Sequence, residues 1–111
     1  MSALEESLEW ALKHLAPELA GWVREYRAIP GRKFRADFAF PDSRLAIECQ
    51  GGIFMRRGAH AGPTAAKRDM EKLNLYTIHG WRLLQFGPHD LTKRTVSDAV
   101  DTIKAALLAP R

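Results

Sequence analysis

Arg35-Ala36-Asp37-Phe38-Ala39-Phe40-Pro41-Asp42-Ser43-Arg44-Leu45-Ala46-Ile47-Glu48-Cys49-Gln50-Gly51-Gly52 is the stretch from which the rest of the chain can be read. Phe38 and Phe40 alternate with small or polar residues, Leu45 and Ile47 do the same, and Pro41-Asp42-Ser43 carries turn chemistry, so a β-hairpin is expected. With Phe40 facing Leu45 across a four-residue loop, Phe38 faces Ile47 and Asp37 faces Glu48. That register gathers the four large apolar side chains on one face and leaves Asp37, Glu48 and Gln50 on the other. Opposed residues of an antiparallel pair have Cβ atoms roughly 4.5 to 5.5 Å apart, so two carboxylates there repel each other at a cost in stability. A hard divalent cation held by both would offset that cost. A solvated hairpin face with two incidental acids is the other reading of the same spacing.

A chain of 111 residues, 46% hydrophobic and 27% charged, has the size and composition of one globular domain, taken as residues 1–111. No apolar run approaches a membrane span and Met1-Ser2-Ala3-Leu4-Glu5-Glu6 is acidic rather than signal-like, so a cytoplasmic protein is expected. The one cysteine, Cys49, excludes an internal disulfide, and four scattered histidines make no zinc pattern. A net charge of +4 and a pI near 9.6 favour a polyanionic partner.

In chain order, Ser2 and Glu5 form a capping-box pattern ahead of a first helix whose apolar stripe is Leu4, Leu8, Ala11, Leu12 and Leu15. Glu5 lies at the edge of that stripe, where it serves either as a cap or as a carboxylate reaching a site beside the core. Trp22 to Ile29 reads as a strand ended by Pro30-Gly31. Arg24, Arg27, Arg32, Lys33 and Arg35 crowd the next stretch against the lone Glu25, as a counter-surface for phosphates or as a solvated basic face. After the hairpin, a glycine-rich loop carries Arg56, Arg57 and His60, and loops on rigid scaffolds concentrate binding residues. Thr64 is read as the cap of a second helix running to about His79, with Ala66, Met70, Leu73 and Thr77 inward, Lys67, Asp69, Glu71 and Lys72 outward or flanking, and Gly80 as its stop. Trp81 to Phe86 alternates as a strand, with Trp81, Leu83 and Gln85 on one side and Leu84 and Phe86 on the other. A last helix starts from Asp90 or Thr92 and presents Val96, Val100, Ile103 and Leu107. The order is therefore α-β-β-β-α-β-α in a mixed α/β domain.

Asp37 followed by Glu48-Cys49-Gln50 on consecutive strands after an N-terminal helix resembles the PD-(D/E)XK nuclease superfamily. The ordered blocks Arg35 to Pro41, Leu45 to Gly52, Gly58 to His60, Asp69 to Asn74 and Gly80 to Leu84 resemble, more narrowly, small stand-alone phage and prophage endonucleases similar to very-short-patch-repair-type enzymes. The resemblance runs from about Glu5 to Leu91. It implies a restriction-endonuclease-like core, a small mixed sheet flanked by helices, and Mg²⁺-dependent hydrolysis of DNA phosphodiesters, with Mn²⁺ as a substitute.

By the same resemblance, Asp37 and Glu48 match the metal-binding acids, the main-chain carbonyl of Cys49 a further ligand, and Glu5 the optional first-helix acid. Gln50 stands where the usual pattern has lysine, and an amide orients water without neutralising developing charge. Lys72, from the following helix, is the candidate replacement, and His60 is a candidate for the leaving oxygen or a phosphate. A surface lysine and a loop histidine are the plain alternatives. The basic residues Arg24, Arg27, Arg32, Lys33, Arg35, Arg56, Arg57, Lys67 and Arg68 are expected around the acidic centre as DNA contacts. A non-catalytic nucleic-acid-binding module, in which Gln50 marks lost chemistry, is the alternative from another class. A His-Asn-His arrangement of His60, Asn74 and His79 fits neither the spacing nor the hairpin order. Within the enzyme reading, junction or flap cutting stands beside nicking or duplex cutting, and a homodimer beside a monomer.

Overall fold

The computed structural model describes residues 2–51 and 63–110. The first helix, α1, spans Ala3–His14; Ser2 caps it by accepting the Glu5 N–H at 3.2 Å, while its own hydroxyl donates to the Glu5 carboxylate. Leu8, Ala11 and Leu12 are buried as the stripe requires, whereas Leu15, at the C-cap, is largely exposed.

Strand β1 is Val23–Tyr26, shorter than the segment its residue types suggested. Glu25 within it adopts the left-handed region, φ 53°, which breaks regular strand alternation. β2, Ala36–Phe40, and β3, Leu45–Cys49, form the hairpin in the expected register, with Phe38 opposite Ile47 and Phe40 opposite Leu45. The connection is one 3₁₀ turn, Pro41–Ser43, closed by Arg44 at φ 50°.

The next helix, α2, spans Pro63–Ile78 and leads to β4, Arg82–Phe86, which lies parallel to β3 with Glu48 beside Gln85. Gly80, at φ 77°, makes the turn between them, a conformation in which a side chain would be strained. The last helix, α3, spans Val96–Leu108 and begins later than Asp90 or Thr92. Pro88–Asp90 instead form a 3₁₀ turn, and Thr92 and Thr95 exchange hydroxyl and backbone hydrogen bonds ahead of the helix.

Sheet order is β1-β2-β3-β4, antiparallel except for the last pair, which gives the mixed α/β fold expected from the order of elements. One face carries Phe38, Phe40, Leu45, Ile47 and Phe86 against Leu8 and Leu12 of α1 and Val100 and Ile103 of α3. On the other, Ala39 and Ala46 leave room for Tyr76 of α2 and for Trp81. No described helix is long and apolar enough to cross a membrane.

The inner face of α2 corrects the sequence reading. Met70 and Leu73 are exposed, as are Ala66 and Thr77, and Tyr76 is the helix's buried residue, with Ala65, Asp69, Lys72 and Leu75 partly covered. The two candidate faces differ by a rotation of one residue. The covered face instead carries Tyr76 over Ala39 and Ala46 and brings Lys72 to Glu48.

Candidate functional site

The sheet register organises a row of polar residues across the strands. Arg24 pairs with Phe38 and Tyr26 with Ala36, which sets Glu25 opposite Asp37; the hairpin register continues to Glu48, and Glu48 lies beside Gln85. Glu25, Asp37, Glu48 and Gln85 thus form one transverse line, on β1, β2, β3 and β4 in turn.

Asp37 is half-buried, and one carboxylate oxygen accepts the Cys49 N–H at 2.8 Å. Its pKa is raised: burial is the main cause, the Cys49 N–H acts in the opposite direction, and the charges of Glu5, Glu48 and Glu25 raise it further. Carboxylate oxygens of Glu5, Glu25 and Asp37 all lie within 4.8 Å of one another. The same surroundings push the Cys49 thiol up to about 12, through burial first and then through Asp37 and Glu5, so this cysteine is not a nucleophile at neutral pH.

Glu48 is turned elsewhere. Only 3% exposed, it receives Lys72 Nζ at 2.6 Å on one oxygen and the Gln50 side-chain amide at 2.9 Å on the other. Gln50 is itself fixed by its N–H donating to the Phe86 carbonyl at 2.7 Å. The close three-acid set of the described residues is therefore Glu5, Glu25 and Asp37, rather than one built on the Asp37 and Glu48 pair. The acids also fall under a buried hydroxyl. Tyr76 is 1% exposed, its OH has no hydrogen-bond partner among the described residues, and its pKa is raised by burial and by the charges of Glu48 and Asp37.

Arg24 corrects an expectation. Its guanidinium binds Glu5 and Glu9, the latter at 3.0 Å, donates through Nε to the Asp37 carbonyl at 3.0 Å, and lies 4.3 Å from the Phe38 ring centroid. It holds α1 against the hairpin and faces protein carboxylates. Arg27, Arg32, Lys33, Arg35, Lys67 and Arg68 are exposed, and of these Arg32 and Arg68 share one groove with Lys72. Arg56, Arg57 and His60 lie outside the described residues.

Lys72, expected to be outward or flanking and also a candidate for the centre, reaches Glu48. Glu25, Tyr76 and Asp69 were not singled out for the site. Glu25 was accessible in principle, because pairing β1 with β2 sets it opposite Asp37, but in sequence it is the odd acid of a basic run. No family model matches the chain, and no curated protein or solved structure matches it either.

Proposed function

We propose that this chain hydrolyses nucleic-acid phosphodiesters and, more particularly, that it is a divalent-metal-dependent DNA endonuclease. The observation that carries the reading is the crowding of Glu5, Glu25 and Asp37 at one end of the hairpin, beside Glu48, with Asp37 raised in pKa by burial first and by the neighbouring carboxylates after it. Arg24 offsets part of the charge. The rest suits a cation with a preference for oxygen ligands, Mg²⁺ or Mn²⁺, and Asp37, Glu5 and Glu25 would hold it. Such an ion supplies a Lewis acid for a phosphate oxygen and a bound water of lowered pKa.

The chain's own residues support that chemistry from the sides. Cys49 N–H fixes the Asp37 carboxylate, and Arg24 fixes Glu5 relative to β2. Lys72 brings a positive charge to Glu48 from α2, so the lysine missing at Gln50 has a spatial counterpart. Gln50 orients Glu48 through its amide. The test is incubation of purified protein with plasmid, linear, flap and four-way-junction DNA in Mg²⁺, Mn²⁺ or chelator. Metal-dependent cutting that Asp37→Asn abolishes is expected; intact DNA under every condition would end the enzyme reading.

A second reading, a non-catalytic DNA-binding module, is favoured by one observation. Both oxygens of Glu48 are already engaged by Lys72 and Gln50. It predicts DNA binding that is indifferent to metal and no cutting.

A further inference from the structure

We propose that the groove between the segment leading into β2 and α2 binds one unstacked nucleotide of a DNA strand, so that the favoured substrate carries unpaired nucleotides beside the site of cutting. The identity of the ligand as DNA rests on the function proposed above; the groove itself is a feature of the described residues. It has a volume of about 400 Å³ and its walls include Arg32, Phe34, Arg68, Asp69, Lys72 and Leu75. Pockets of roughly 300 to 1,000 Å³ suit small organic ligands, and a nucleotide is of that class.

The disposition of charge says which end of a nucleotide goes where. Arg32 and Arg68 are exposed and supply cations for phosphates at the rim. Asp69 and Glu71 stand in the wall, where they disfavour a phosphate but can accept the amino N–H groups of a base. Phe34 provides the stacking surface. Its ring is half-buried and held against Tyr76, with centroids 5.9 Å apart, and Lys72 Nζ lies 5.6 Å from its centroid.

The groove also leads to Glu48. A smaller cavity bounded by Glu48, Gln50, Asp69, Lys72 and Gln85 shares Asp69 and Lys72 with it. A base on Phe34 would therefore lie on the side of Glu48, the acid opposite Asp37 in the hairpin register. In a continuous duplex that base is paired and stacked, and freeing it carries a cost that is least where the nucleotide is already unpaired. Tailed, flapped or gapped DNA escapes the penalty.

The experiment is fluorescence anisotropy with Ca²⁺, using a blunt duplex and the same duplex with a short single-stranded tail, in parallel with cleavage in Mg²⁺. Tailed DNA should bind about tenfold tighter than blunt DNA, and Phe34→Leu should remove most of that difference, since stacking on an aromatic ring is the contribution lost. Phe34→Trp should retain the preference, which separates loss of stacking from loss of folding. Arg32→Ala and Arg68→Ala should weaken both DNAs and lower the log-log salt slope by roughly one each. Equal affinity for the two DNAs, or a Phe34→Leu protein that keeps its preference for the tail, would overturn the proposal. A tail preference without cutting keeps the groove and removes the nuclease reading; cutting without a tail preference does the reverse.

Discussion

Lys72 Nζ stands 2.6 Å from Glu48 Oε2, joining the middle of α2 to the end of β3. Glu48 is almost wholly buried and Lys72 about three-quarters so, which separates this pair from ordinary surface ion pairs. Lys72→Met should destabilise the protein by about 1–3 kcal/mol, because a buried carboxylate loses its charged partner. Lys72→Met with Glu48→Gln should recover much of the loss. Urea titrations of the wild type, both single variants and the double variant give the coupling directly, and a coupling near zero would remove the pair as a brace.

Asp37 makes a pH-dependent prediction whose sign follows from its surroundings. Burial and the neighbouring carboxylates raise its pKa in the folded state, against the Cys49 N–H. An acid raised in this way binds its proton more tightly folded than unfolded. Its contribution to stability is therefore best below the unfolded pKa of roughly 3.9, declines as pH rises through the folded value, and stays a cost at neutrality. Asp37→Asn keeps an acceptor for the Cys49 N–H. In chelator it should melt a few degrees above the wild type at neutral pH and lose that advantage below about pH 4. A variant that melts lower at neutral pH would mean that the carboxylate charge is net stabilised where it stands.

Addition of divalent metal should reverse that order. An ion bound only to the folded protein stabilises it by about 2.7 kcal/mol at one hundred times its Kd, so wild-type protein should gain in Tm with Mg²⁺ or Mn²⁺ and Asp37→Asn should not. Glu25→Gln tests the part of the site that the sequence did not disclose. If Glu25 joins Glu5 and Asp37 around the ion, this change should weaken metal binding by roughly tenfold, equivalent to about 1.4 kcal/mol. Glu25→Gln protein with an unchanged metal titration would leave Glu25 as a bystander.

The legible parts of this fold were those set by local pattern. Phe38, Phe40, Leu45 and Ile47 fixed the hairpin register because a one-residue slip would turn the slipped strand's pair away from α1 and α3. The face of α2 was not legible, because Met70 and Leu73 repeat at helical spacing as convincingly as the covered Asp69, Lys72 and Tyr76, and hydrophobicity selects the wrong set when the true face serves a polar site. Glu25 and Arg24 failed for a different reason. Their partners, Asp37 for one and Glu5 and Glu9 for the other, come from segments that only the tertiary fold brings together, so a basic run in sequence concealed an acid of the candidate site and a part-buried arginine.

Phe38 links core packing to the site. It is fully buried, and its ring lies under the guanidinium that holds Glu5 and Glu9. Phe38→Leu should cost stability moderately, on the order of 1–2 kcal/mol, by lost packing and the lost cation–π contact. It should also weaken metal binding, since Arg24 would lose the surface that fixes its plane. Calorimetric metal titration of folded Phe38→Leu protein checks the second effect separately from the first; metal affinity equal to that of the wild type would uncouple the core from the acids.

Arg24→Lys distinguishes a brace from a phosphate contact. A lysine keeps the positive charge but cannot make the forked contacts to Glu5 and Glu9 together with the Nε bond to the Asp37 carbonyl. As a brace, Arg24 predicts a stability loss of about 1–3 kcal/mol and a fall in any metal-dependent cleavage, with DNA affinity and its salt slope in Ca²⁺ left as in the wild type. Arg24→Met removes the charge altogether. Were Arg24 a phosphate contact, Arg24→Met would reduce the salt slope by roughly one and weaken all DNAs alike. Because the guanidinium faces two carboxylates of α1 and the backbone of β2, the expected result is an unchanged slope in folded Arg24→Met protein, with Glu5 and Glu9 left to repel each other and a lower Tm that high salt partly restores. A slope reduced by a full unit would return Arg24 to the DNA-binding surface.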